Sequence, residues 1–217
     1  MSAKHHPSDE TLLRYAAGTL EPGPALVVAT HLELCPACSD KARTFEAVGG
    51  AMLDDLPPTE MAHDALDKVL SRIDAEPRHA SPKPAARRPA VLDGFVLPDA
   101  LKGCDIGPWR WRGPGVHMSR VVIPDAPKAS VMLIKVGAGR RLPHHGHTGT
   151  EYTLILKGSF TDDGVRFARG DIEEADADVK HQPVVDPDGE CICLAAIDGH
   201  MRLQGLIGRL VQPFVGI

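Results

Sequence analysis

The sequence predicts two units in series, a small all-α unit followed by an all-β one. Three observations carry this. From residue 8 to about 74, apolar side chains recur at helical spacings. Beyond residue 91 they gather in short runs rich in branched residues, separated by Gly, Asp or Pro turns. Between the two, residues 76–90 (EPRHASPKPAARRPA) hold four prolines, no large apolar residue and a net charge of +3. That composition describes a tether. A chain of 217 residues accommodates one ordinary domain and a small one, so the units are set at 1–75 and 91–217 with 76–90 as the linker.

Each helix has its own signal. Ser8 is an N-cap, followed by Asp9 and Glu10 where carboxylates suit the helix dipole. The first helix then covers 11–17 and stops at Gly18. A second covers 23–34 with Pro24 near its start, and a third runs from near 36 to 53, before Asp54-Asp55 and Pro57-Pro58. The fourth spans 60–74, where Met61, Ala62, Ala65, Leu66, Val69, Leu70 and Ile73 recur three and four apart. Residues 1–75 carry 6 basic and 12 acidic side chains, a net of −6. In the second unit VMLIKV (131–136), EYTLILKG (151–158), VRFARG (165–170) and CICLAAI (191–197) read as strands of a sandwich or small barrel.

Charge and hydropathy narrow the function. A formal charge of −5 and no helix with a basic face argue against direct nucleic-acid binding. No apolar run approaches the 18 residues of a membrane span, and MSAKHHPSDE has no apolar signal region, so a cytoplasmic chain is expected. Five cysteines, Cys35 with Cys38, Cys104, and Cys191 with Cys193, fit metal ligation or redox chemistry better than a disulfide scaffold.

His31, Cys35 and Cys38 stand at i, i+4 and i+7 across a helix end. An imidazole and two thiolates suit Zn²⁺, and a closed structural site needs a fourth ligand, which His6 or His5 supplies from just before the first helix. Cys-x-x-Cys alone is also compatible with a redox pair or two small core residues. Nothing before Cys35 reads as a strand opening a βαβ unit, which disfavours a thioredoxin-like site.

The second constellation lies in GRRLPHHGHTGTEYTLILKG (139–158). On an extended chain His145 and His147 point to one side and His144 to the other. A turn at Gly149 returns Glu151 beside them, and His181 is the natural third imidazole for a divalent metal. Cys191 and Cys193 share a strand face about 7 Å apart, awkward for a disulfide, and read as core residues or as thiols oxidised near the metal. Trp109 and Trp111 read as core or rim packing.

These residues carry two resemblances. His6 with His31-x₃-Cys35-x₂-Cys38 in four short helices is similar to the zinc-binding anti-sigma domain. Its members hold an extracytoplasmic-function (ECF) sigma factor inactive by occupying its core-polymerase-binding surfaces. Gly139-x₅-His145-x-His147-x₃-Glu151-x₆-Gly158 matches the first cupin motif, and Gly164, Gly170 and His181 can be placed on a looser second one, with Ala168 in place of its proline, a longer interval from Gly170 to His181 and no downstream asparagine. That likeness implies a double-stranded β-helix, or jelly-roll, with a three-His, one-Glu site facing its interior. The order of the two units resembles the ChrR-like anti-sigma factors. The resemblance implies Zn²⁺ at His6, His31, Cys35 and Cys38, and a divalent metal, zinc by preference, at His145, His147, Glu151 and His181. It further implies an ECF-type sigma factor as partner, a small-molecule or oxidant ligand at the cupin metal, and release of sigma on oxidative stress from singlet oxygen or organic peroxide. The competing reading is a metal-dependent cupin dioxygenase or isomerase with a helical appendage.

Overall fold

In a computed structural model of the chain, which describes residues 3–75, 91–92, 94–199 and 201–203, four helices precede the strands. α1 (Asp9–Ala16) starts where the Ser8 hydroxyl accepts the Thr11 N–H at 3.2 Å. α2 (Pro22–Leu34) and α3 (Pro36–Asp54) each have proline in the first turn, where the missing N–H is no loss. Cys35 between them is extended (φ −126°, ψ 97°), so one residue ends one helix and starts the next. α4 (Ala65–Ala75) begins later than the expected 60–74, because Ala62 closes a turn onto the Ala65 N–H instead of entering the helix.

The strands follow as β1 (Val91–Leu92), β2 (Phe95–Val96), β3 (Asp105–Ile106), β4 (Arg110–Gly113), β5 (Val116–Val122), β6 (Val131–Val136), β7 (His145–His147) and β8 (Glu151–Lys157). They continue as β9 (Ser159–Asp162), β10 (Val165–Ala168), β11 (Ile172–Ala175), β12 (Lys180–His181), β13 (Val184–Val185), β14 (Cys191–Ile197) and β15 (Met201–Leu203). A 3₁₀ turn, Asp99–Gly103, follows the β1–β2 hairpin. The main sheet is ordered β11-β8-β14-β6-β5-β3, with β4 also on β5, while β10-β9-β13 and β12-β7-β15 form two three-stranded sheets.

This corrects the jelly-roll expectation. The C-terminal part is β-rich, but its main sheet ends at β11 and β3, and no ladder among the described residues closes it into a barrel. Two local features account for the opening. Gly158 (φ +73°) turns the chain sharply after β8, and a Cβ there would lie 2.3 Å from the Glu190 carbonyl oxygen. The chain therefore leaves the main sheet at Gly158 and resumes in a separate one. At the start of β11, Ile172 gives its N–H to the His5 carbonyl at 3.2 Å, so the N-terminal segment occupies a place a further strand would take.

The main sheet is buried on both faces, which is why β8 and β14 read as continuous rather than alternating apolar runs. Val116, Ile134, Val136, Ile155, Cys191 and Cys193 face Phe160, Phe167 and Val185 of the β10-β9-β13 sheet. On the opposite face Leu133, Leu154 and Leu194 pack with Val27 of α2 and with Leu97 and Leu101. The Glu33 carboxylate accepts the N–H groups of Asp99 at 2.8 Å and Ala100 at 2.5 Å, capping the 3₁₀ turn. α2 thus docks directly on the sheet, a contact no sequence signal announces. The tether expected at 76–90 lies outside the described residues.

Candidate metal centres

The α2–α3 junction builds the first cluster. His31 sits one turn before Cys35 on α2, and Cys38 lies in the first turn of α3. The N-terminal segment returns His6, whose Nδ1 is 3.4 Å from Cys35 Sγ and 3.3 Å from Cys38 Sγ. Ligand atoms of His6, His31, Cys35 and Cys38 lie within 4.8 Å of one another. His5 goes elsewhere, its ring against Phe167 at 4.7 Å.

His31 shows what this cluster suits. Its Nδ1 is 2.9 Å from the Gly170 carbonyl, which only accepts, so Nδ1 carries the hydrogen and Nε2 is a bare lone pair. That Nε2 is buried and has no hydrogen-bond partner. Burial drives the ring's pKa down to about 4, the Gly170 bond only partly opposing it. Burial likewise pushes Cys38 up to about 12, helped by Cys35. A neutral imidazole lone pair beside two buried cysteine sulfurs forms the donor set of a thiophilic cation.

The second cluster joins β7, β8 and β12. His145 and His147 both point inward and are buried at 4% and 3% exposure, while His144 between β6 and β7 is exposed, as the alternation requires. Pairing of β12 with β7 sets His181 opposite His145. Glu151 Oε2 is 2.8 Å from His147 Nε2, 3.4 Å from His181 Nε2 and 3.6 Å from His145 Nε2. The His145 and His181 Nε2 atoms are 3.1 Å apart.

The tautomers again decide the chemistry. His145 Nδ1 donates to the Pro143 carbonyl at 2.8 Å, and His181 Nδ1 faces Asp162 Oδ2 at 2.7 Å. In their neutral forms both rings therefore present lone pairs at Nε2, toward each other and toward a carboxylate. Such an electron-rich centre needs a proton or a cation. Against the cost of burial, Asp162 and Glu151 raise His181 to about 10, which marks this as a place for positive charge. Burial opposes the Glu151 charge too, yet the three histidines hold its carboxyl well below the usual range. The residues thus fit a divalent metal.

Two candidate site residues escape the sequence reading. Asp162 and Glu173 form a third group with His181. The signal was parity: Phe160 faces the interior, so Asp162 on β9 does as well, and Ile172 faces α2, so Glu173 on β11 points inward. Burial first, then the Asp162 charge, raises Glu173 to about 8. Beside the cluster a cavity of about 240 Å³ is lined by Ile134, Val136, Phe160, Cys191 and Cys193. Burial raises the Cys191 thiol to about 12 and Cys193 well above the usual range, which keeps both as thiols. Trp109 packs on the α2-side core, whereas Trp111 is 67% exposed.

Among the described residues no helix is long and apolar enough to cross a membrane. Residues 99–200 match a family model described as the ChrR cupin-like domain. The anti-sigma-E factor ChrR of Cereibacter sphaeroides is 38% identical over 219 residues, covering 100% of both chains. The crystal structure of Rhodobacter sphaeroides SigE in complex with the anti-sigma ChrR matches 91% of this chain and 100% of that one, at 36% identity and a TM-score of 0.70.

Proposed function

This chain belongs to the ChrR family of anti-sigma factors, and from that premise we propose how its parts divide the work. It regulates an ECF sigma factor as a binding protein rather than as an enzyme. Residues 1–75 are the sigma-holding unit, 76–90 the link and 91–217 the sensing unit. One observation carries the docking. Among the described residues, nine of the thirteen exposed large apolar side chains lie between 48 and 73, and α4 buries none of its residues. An amphipathic helix with no buried residue in the described part of the chain suits a groove on another protein. The net charge of −6 over 1–75 suits a partner that is basic where it meets polymerase or DNA.

Zn²⁺ is the metal of the first cluster, held by His6, His31, Cys35 and Cys38. Two thiolates and two imidazoles are its usual closed structural set, and when bound it crosslinks α2, α3 and the N-terminal segment. His145, His147, Glu151 and His181 hold a second divalent ion, zinc by preference. Asp162 orients the His181 ring, and the Pro143 carbonyl orients His145. The adjoining cavity admits a small apolar molecule or an oxidant, and its arrival at the cluster is the stress signal that loosens the hold on sigma.

The test is co-purification of the full-length chain from unstressed cells, with metal analysis of the same sample. A stoichiometric ECF sigma factor and about two metals per chain are expected from the two donor sets. Metals without any sigma factor would overturn the docking assignment.

A further inference from the structure

The first metal cluster is not finished by the helices that carry its cysteines. Two of its four candidate ligands are set by one corner of the β-rich part, Gly170–Asp171, between β10 and β11. The Gly170 carbonyl accepts the His31 Nδ1 hydrogen at 2.9 Å and so directs the bare Nε2 into the cluster. Asp171 Oδ1 accepts the N–H groups of Lys4 at 2.5 Å and His5 at 3.1 Å, and the His5 carbonyl accepts from Ile172 at 3.2 Å. These three bonds grip the two residues directly before His6. Asp171 itself is only 3% exposed, and its Oδ2 accepts the Ala168 N–H at 2.8 Å, so the corner is rigid.

We propose that Gly170 and Asp171 are the outer shell of the N-terminal metal site, so that the β-rich part sets how tightly the helical part holds its metal. The proposal rests on the reading of His6, His31, Cys35 and Cys38 as a metal site. Without the corner, the two residues before His6 lose these three bonds, so more of the ring's ordering falls to the ion itself, and His31 loses the acceptor that fixes its tautomer. Both losses weaken binding. They also make the coupling mutual: an ion that tightens the cluster tightens the corner by the same factor. Asp171 and Gly170 are positioning residues, since neither reaches the ion.

Cobalt is a suitable probe for the full chain, because a thiolate-to-cobalt band reports only the cluster that contains cysteines. The variants are D171A, which removes the grip on Lys4 and His5, and G170A, which puts a side chain at φ +94° and turns the carbonyl away from His31. Both should bind Co²⁺ at the cysteine cluster about 10- to 100-fold more weakly than wild type in competition with a chelator, the usual effect of losing an outer-shell partner. The thermal midpoint of the metal-free chain measures any general loss of fold separately. Wild-type affinity in both variants would overturn the proposal and leave the metal site standing. Absence of the thiolate band in the wild-type chain would overturn the metal site and the proposal together. Should neither variant fold, amide exchange in the wild-type chain decides. Cobalt must slow exchange at 168–172, with no slowing in a C35S, C38S chain, and unchanged exchange would overturn the proposal.

Discussion

Replacing Leu66 and Leu70 with alanine separates docking from folding. The two side chains lie one turn apart on α4 and are 67% and 49% exposed. Full burial of a leucine side chain is worth about 1.5–3 kcal/mol, and the open half to two-thirds of each is what a partner can cover. The pair should therefore forfeit about 2–4 kcal/mol of complex stability, a roughly 30- to 1,000-fold weaker Kd. The free chain should change by less than the complex, no more than about 1 kcal/mol, since neither side chain is buried among the described residues and alanine favours helix. Isothermal titration of an ECF sigma factor gives the first quantity and urea unfolding of the free chain the second. A Kd within twofold of wild type would refute α4 as a contact. A free chain destabilised by more than about 2 kcal/mol would refute the exposed face itself, because a loss of that size requires buried partners.

Val27, fully buried between α2 and the main sheet, gives the opposite pattern. V27A removes two methyl groups at about 0.8 kcal/mol each and leaves a void, so urea unfolding should show about 2 kcal/mol of lost stability. D162N should weaken metal binding at the His145 cluster about 10- to 100-fold, measured by chelator competition, and leave the thiolate-to-cobalt band unchanged. For metal-free protein, the folded His31 pKa near 4 lies below its unfolded value, so the unfolded state takes up the proton first. This contribution is complete above pH about 6.5 and lost as pH falls toward 4, and urea midpoints should fall more steeply for wild type than for H31Q across that window. Parallel profiles would refute it.

What the sequence disclosed was whatever depends on neighbours along the chain. Ser8, Pro24 and Pro36 marked helix starts that hold in the structure, and 131–136 and 191–197 are strands with the expected limits. The parity of His145 and His147 is equally local, and it put both rings on the buried side. The failures were non-local. Whether strands close into a barrel depends on where the chain leaves a sheet, and Gly158 makes that break through a contact with Glu190, 32 positions away. Asp162 escaped notice because its role exists only once β9 lies beside His181. Met61 illustrates a third kind of miss. Its spacing fits the helical repeat, yet it stands ahead of α4 at 79% exposure, because periodicity alone sets no boundary.

Two candidate metal clusters joined only by residues 76–90 would have little means of informing one another. The folded chain offers a shorter connection. β8 begins with Glu151, the carboxylate at the centre of the second cluster, and four residues later Ile155 donates to the Asp171 carbonyl at 3.0 Å and accepts from Gly170 at 2.8 Å. The same corner carries His31 and the approach to His6. On β11, Glu173 follows Asp171 by two residues and reaches the Asp162–His181 pair. β8 is buried over Glu151–Leu156 and pairs with all four residues of β11, so no loop intervenes between Glu151 and the Gly170–Asp171 corner. A regulator that senses in one part and grips in another needs such a stiff element between them. Here one hydrogen-bonded pair of strands, β8 with β11, runs between the two candidate clusters.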